Sequence, residues 1–150
     1  MTAIHRATLD DLDALAPLFD GYRGFYGQAS DATLARDFLQ ARLGNGESAV
    51  FLAKLDDGTP AGFTQLYPMF SSVRAARTWV LNDLFVAPQA RRHGVARALL
   101  DAAARFAHED GAIRLELETT PDNRQAQALY RAHGWQPYDD TLRFHLPLGG

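Results

Sequence analysis

The sequence contains no cysteine, which excludes disulfide frameworks, zinc–cysteine sites and thiol nucleophiles together, so any group transfer proceeds without an acyl-cysteine. It has no run of about 18 apolar residues that would make a membrane span, and the opening segment Met1 to Arg6 lacks a basic stretch followed by an apolar one. A cytoplasmic protein is expected. No block of one charge sign stands out, and the net charge of −3 argues against broad nucleic-acid binding without repelling a cationic substrate. His5, His93, His108, His133 and His145 are scattered without metal-ligand spacing, so no metal is expected. What the chain has is apolar content. With 47% hydrophobic residues in 150, and no linker, repeat or low-complexity segment, a single domain over 1–150 with one core is expected.

Ile4 to Ala7 reads as a first strand, and Thr8-Leu9-Asp10-Asp11 as a helix start with acidic residues in its first turn. Leu12, Leu15 and Leu18 or Phe19 then form an apolar stripe, and Gly21, Gly24 and Gly27 weaken the helix near Tyr22 to Tyr26, predicting a bend. A second helix is expected from Ser30 or Asp31 to about Gly44. The segments 48–55 and 61–70 flank Asp57-Gly58 and read as an antiparallel hairpin, with a further strand over 77–86. Val95, Leu99, Ala102 or Ala103, and Phe106 recur at helical spacing towards Gly111, and 113–118 alternates like a strand. Asp122, with Gln125 three residues on, resembles a capping box for a helix closed by Gly134. Leu142, Phe144 and Leu146 alternate, which predicts one or two short strands after Trp135.

The stretch from Val86 to Leu100 is the most informative. A strand runs through a basic, glycine-containing turn into a helix, and the unpartnered N–H groups of a helix's first turn can hydrogen-bond phosphate oxygens. Gly94 permits close approach, and Arg91, Arg92, His93 and Arg97 crowd cationic or potentially cationic side chains around the same turn. The expected ligand is polyphosphorylated. A solvated basic helix start is the plain alternative, and Arg97 has Asp101 four residues on as a possible ion-pair partner.

Two motifs extend this reading. Asp83-Leu84-Phe85-Val86 leading into Arg91-Arg92-His93-Gly94-Val95-Ala96 fits the pattern R/Q-x-x-G-x-G/A, and Asn123, Ala126, Leu129-Tyr130 and Gly134-Trp135 fit N-x-x-A-x-x-L-Y-x-x-x-G-F/W. Together they resemble the GNAT superfamily of acetyl-CoA-dependent N-acetyltransferases, over nearly the whole order of elements. The resemblance implies an α/β (α+β) fold: a mixed, mostly antiparallel twisted sheet of six or seven strands, splayed in a V between the fourth and fifth, with four flanking helices. It implies acetyl-CoA as donor, its pantetheine arm lying in the gap against Leu84, Phe85 and Val86. Arg91, Arg92, His93, Gly94, Val95, Ala96, Arg97, Asn123, Ala126 and Tyr130 are then the other cofactor-binding positions. It further implies a bulge near Leu84 that aims an N–H at the thioester carbonyl, stabilising an oxyanion, and Tyr130 as general acid. A homodimer follows by analogy with relatives that pair through sheet edges or terminal strands.

Acetyl transfer to an amine also needs a proton acceptor, since an ammonium of pKa about 10.4 is mostly charged at neutral pH. Asp83 sits inside the apolar run Trp79 to Val86, where an unpaired charge is costly. It either takes the amine proton or binds a cationic acceptor, or it pairs with Arg74, Arg77 or another arginine. Glu116 and Glu118 share a strand face, and Glu118, nearer the expected splay, is the better second acid. Tyr22, Phe25, Tyr26 and Tyr67, with Phe70, either wall an acceptor pocket or belong to the core. Tyr130, read by periodicity alone, is a packing residue; the motif makes it the proton donor. The leading function is direct acetyl transfer in a ternary complex to a primary amine: a cationic small amine such as a polyamine first, a protein lysine or N-terminus second. A non-catalytic acetyl-CoA/CoA-binding regulatory module and a nucleotide-binding domain are the alternatives, the last weakened by the missing G-x-x-x-x-G-K-S/T motif.

Overall fold

The computed structural model describes residues 2–150, which form two compact units, one up to Glu118 and one of Thr119–Gly150. The first unit holds β1 (Ala3–Arg6), α1 (Leu12–Phe25), α2 (Ala32–Gly44), β2 (Ala49–Lys54), β3 (Pro60–Ser71), β4 (Ala76–Val86), α3 (Val95–Glu109) and β5 (Leu115–Glu116). Its sheet runs β1-β2-β3-β4-β5, antiparallel throughout except for the parallel β4–β5 pair. Among the described residues the sheet has five strands, not six or seven.

The helices pack because their apolar faces are continuous. Leu15, Leu39, Leu52, Phe63, Leu66, Leu99 and Leu100 are fully buried, and each such side chain contributes about 1.5–3 kcal/mol of transfer free energy. Thr8 opens the first helical segment with a capping box: its hydroxyl accepts from the Asp10 N–H (3.3 Å), while its own N–H donates to the Asp11 carboxylate (2.8 Å). The glycines do not interrupt α1. The helix runs through Gly21 and Gly24, and a Cβ at Gly21 would stand 3.1 Å from the Phe85 ring, so this glycine lets the helix settle on β4. Gly62 does the same within the sheet, where a Cβ would stand 2.5 Å from the Phe85 carbonyl oxygen.

β5 is shorter than the predicted 113–118. The Ile113 N–H donates to the Arg77 carbonyl (2.9 Å) and the Trp79 N–H to the Arg114 carbonyl (3.2 Å), and pairing ends at Val80–Glu116. Beyond it β4 continues alone on that side.

The second unit contains α4 (Arg124–His133). Its cap is Asn123, whose side-chain oxygen accepts from the Ala126 N–H (3.1 Å), and not the predicted Asp122. The Gln127 amide secures the turn by donating to the carbonyls of Thr120, Pro121 and Asn123. Gly134, at φ +107°, closes the helix as expected. The predicted strands after Trp135 do not form: Leu142, Phe144 and Leu146 are 84%, 89% and 81% exposed. Alternation makes a segment fit for a strand, but a strand needs a neighbouring edge for its backbone groups, and residues 119–150 supply none. Among the described residues no helix is long and apolar enough to cross a membrane.

Candidate active site

The middle of β4 carries an irregularity. Gln65 opposes Asp83 while Leu66 opposes Leu81, so Asn82 is an extra residue bulged out of the β3–β4 ladder. The bulge lies two residues before Leu84, where the resemblance had implied one. From Leu81 to Val86 no strand pairs with the β5 side of β4, which leaves Leu84, Phe85 and Val86, all half-buried, along an open edge. That is the start of a splay between the fourth and fifth strands.

Asp83 is 2% exposed and is satisfied by amides rather than by a cation. Gln65 Nε2 donates to its Oδ2 and Asn82 Nδ2 to its Oδ1, each at 2.7 Å. Ser48 Oγ in turn donates to Gln65 Oε1 at 2.9 Å. Among the described residues no arginine pairs with Asp83; Arg77 lies over the Phe70 and Trp79 rings instead (4.6 and 5.2 Å) and Arg74 is exposed. The ion-pair alternative is therefore not what the fold builds. Burial raises the Asp83 carboxyl above the ordinary carboxylate range, against the lowering effect of the hydrogen bonds from Asn82 and Gln65 and of the nearby Tyr22 hydroxyl. Gln65 and Ser48 escape a motif-based reading. Their only signal in the sequence is a polar residue in the middle of an otherwise apolar strand and a serine just ahead of the next.

Tyr22 stands over this carboxylate. Its hydroxyl donates to the Asn82 carbonyl at 3.1 Å, and its ring packs edge-on to Phe63, Tyr26 and Phe85. Burial and the Asp83 charge push both the Tyr22 and Tyr67 phenols well above their ordinary range, so both stay protonated. Tyr26 and Phe25 continue the aromatic row outward at 58% and 63% exposure. Tyr22 and Tyr67 thus share the surroundings of Asp83, whereas Phe25, Tyr26 and Phe70 face solvent rather than the core.

The basic turn follows β4 in the same unit. Arg91, Arg92, His93 and Gly94 are exposed, with Arg92 at φ +67° and Gly94 at φ +72°. The space where a Gly94 Cβ would stand is open, and no side chain caps the start of α3. Val95 is buried, Ala96 half-buried and Arg97 exposed, so the helix is anchored by its apolar face while its first N–H groups and guanidinium groups point outward. Two positive-φ residues just ahead of an uncapped helix start are backbone geometry of the kind that can accept an anion.

The comparison with known families agrees with this turn: residues 13–135 match the model of the acetyltransferase (GNAT) family. The chain belongs to that family. It is accordingly an N-acetyltransferase with the GNAT fold, and acetyl-CoA is the donor its family uses. It is 49% identical to the uncharacterized N-acetyltransferase YhfO of Bacillus subtilis (strain 168) over 145 residues, covering 97% of this chain and 95% of that one. An aminoglycoside N(6')-acetyltransferase type 1 of Stenotrophomonas maltophilia is 30% identical over 148 residues, 97% of this chain and 93% of the relative. A crystal structure of a probable acetyltransferase superposes with a TM-score of 0.94 at 43% identity, covering 99% of both chains.

The remaining expected site residues stand as follows. Glu118 is exposed, just past β5, while Glu116 pairs with Arg114 at 3.1 Å. In the second unit Asn123 spends its side-chain oxygen on the cap, Ala126 is half-buried, and Tyr130 is half-buried with its ring centroid 6.1 Å from that of Trp135.

Proposed function

We propose that this N-acetyltransferase moves acetyl from acetyl-CoA directly to the primary amine of a small cationic acceptor, with Asp83 receiving the proton that the amine must lose. One observation carries the proposal: a buried carboxylate of raised proton affinity, beside two protonated phenols, on the strand whose neighbouring edge is open. Bound acetyl-CoA supplies the acetyl group as an activated thioester. The exposed Arg91, Arg92 and Arg97, His93, and the N–H groups of Gly94, Val95 and Ala96 fit its phosphates in charge and geometry, and Leu84, Phe85 and Val86 offer strand-like backbone to its amide arm.

An ammonium group is attracted by the Asp83 charge and by the faces of Tyr22 and Tyr67. At 2% exposure the carboxylate collects the amine proton across a bridging water, and Glu118 is the second acid for that step. Tyr130 is the proton donor to the departing sulfur and Asn123 and Ala126 are cofactor positions; these roles rest on the motif. The family match running across both units supports a single catalytic domain. The aminoglycoside-modifying relative favours a multiply charged small amine over a protein lysine or N-terminus. A cytoplasmic location belongs to the same reading.

The test is release of CoA from acetyl-CoA over a panel of polyamines, aminoglycosides, amino acids and lysine peptides. Turnover is expected on cationic small amines and strongly lowered by Asp83→Asn. Tight acetyl-CoA binding with no turnover on any amine would instead favour a regulatory module.

We infer in addition that two copies pair through the segment after residue 140. Leu142, Phe144, Leu146 and Leu148 are each 81–89% exposed. These apolar side chains are the candidate contact. Light scattering is expected to give a dimer, and Phe144→Asp with Leu146→Asp a monomer.

A further inference from the structure

Asp83 is held by a chain of side chains that crosses three segments. Ser48, just before β2, is 7% exposed, and Gln65 of β3 is fully buried. The serine hydroxyl donates to the amide oxygen (2.9 Å), which turns the amide nitrogen to Asp83 Oδ2 (2.7 Å). The Asn82 amide takes the other carboxylate oxygen at 2.7 Å, and the Thr64 hydroxyl donates to the Asp83 backbone carbonyl, also at 2.7 Å. A buried glutamine is costly unless its amide is satisfied. Here one end is fixed by a hydroxyl and the other by a carboxylate.

We propose that Gln65, oriented by Ser48, is the positioning residue that fixes the Asp83 carboxylate and lets it take up and release a proton while keeping a hydrogen-bond partner in both forms. The proposal rests on the reading of Asp83 as proton acceptor. An arginine at Gln65 would hold Asp83 ionised, and an apolar residue would leave it undersolvated in its charged form; a primary amide serves both forms. With Asp83 ionised, Ser48 O–H donates to Gln65 Oε1 and Gln65 Nε2 donates to Asp83. When an ammonium N–H breaks and an Asp83 O–H forms, the amide turned about its last torsion accepts that O–H at Oε1 and donates from Nε2 to Ser48 Oγ. The proton then leaves Asp83 for water and the amide turns back. The bond to the charged carboxylate is the stronger of the two arrangements, so the relay favours the ionised form on balance.

The titratable groups facing Asp83 are the phenols of Tyr22, from α1, and Tyr67, on β3; Tyr26 acts on Tyr22 and Arg42 of α2 on Tyr67. Neither phenol deprotonates near neutral pH, so the carboxyl titrates without a competing step.

The experiment is a 13C-carboxyl NMR titration of the full chain, with the Asp83 resonance assigned by its loss in Asp83→Asn. Gln65→Met is expected to raise the Asp83 midpoint by about one pH unit through loss of a donor to the charged form. Ser48→Ala should raise it by less, and the double variant by no more than Gln65→Met alone, since the serine acts through the amide. An unmoved midpoint in Gln65→Met, or additive shifts, overturns the proposal. Should Gln65→Met not fold, Ser48→Ala decides alone, and an unmoved midpoint there is equally fatal. The acid limb of kcat/KM, measured with acetyl-CoA and the best amine of the panel, should move with the midpoint. A midpoint that moves while the acid limb stays in place leaves the relay standing and removes Asp83 from the proton-acceptor role.

Discussion

Asp83 and the turn at Arg91 to Gly94 belong to the same strand and its exit, yet one is buried to 2% with both carboxylate oxygens occupied, while the other is exposed at every residue. The carboxylate is held in place before any ligand arrives. The arginines, by contrast, are solvated, and in the function proposed for them their contribution would come only when a phosphate takes the place of water. The contrast separates two duties: a group that handles a proton gains from a fixed, low-dielectric site, whereas a group that attracts an anion gains from access and adaptable reach. Preorganisation is concentrated where proton affinity matters.

The comparison is broken most severely by Asp83→Asn, expected to lower kcat/KM by about 10²–10⁴-fold while leaving acetyl-CoA affinity within a factor of about two. Amine-dependent CoA release and a calorimetric titration check the two halves. Tyr130→Phe is expected to lower kcat by a smaller factor, about ten-fold or more, again with cofactor affinity retained; undiminished turnover would remove its role as donor. Arg91→Ala acts on the other side, weakening acetyl-CoA binding by about ten-fold through loss of a charge-assisted bond. That loss should shrink as salt is raised, whereas the Asp83→Asn effect should not.

The smallest expected effect concerns stability. Because burial raises the folded-state affinity of Asp83 for its proton, its contribution to stability is fully present below the unfolded value of about 3.9 and is lost as pH rises through the folded pKa. The difference in unfolding free energy between wild type and Asp83→Asn should therefore shift in favour of the wild type as pH is lowered through that window. Urea titrations at several pH values measure it, and a difference independent of pH would mean that Asp83 titrates alike in the folded and unfolded chain.

The basic turn was readable in the sequence because its parts are local: a strand, Arg91, Gly94 and a helix start lie within one short stretch, and the φ +72° of Gly94 is what a glycine there permits. The same holds for the Thr8 cap and the Gly134 helix end. The Asp83 surroundings were only half readable. An acid inside an apolar strand signals a special site, but that Gln65 rather than Arg74 or Arg77 would satisfy it depends on strand register, which the bulge at Asn82 shifts by one residue.

By itself the sequence determined the family, the order of the elements up to α4, and the charge and backbone freedom of the basic turn, since each is written in residue type and short-range spacing. Only the tertiary structure decided that α1 continues through Gly21 and Gly24, that β5 stops at Glu116, that alternation after Trp135 makes no strand, and that Ser48 and Gln65 stand behind Asp83. Each of these depends on which distant segment lies alongside, and hydrogen bonds between segments far apart in the chain carry no local signature.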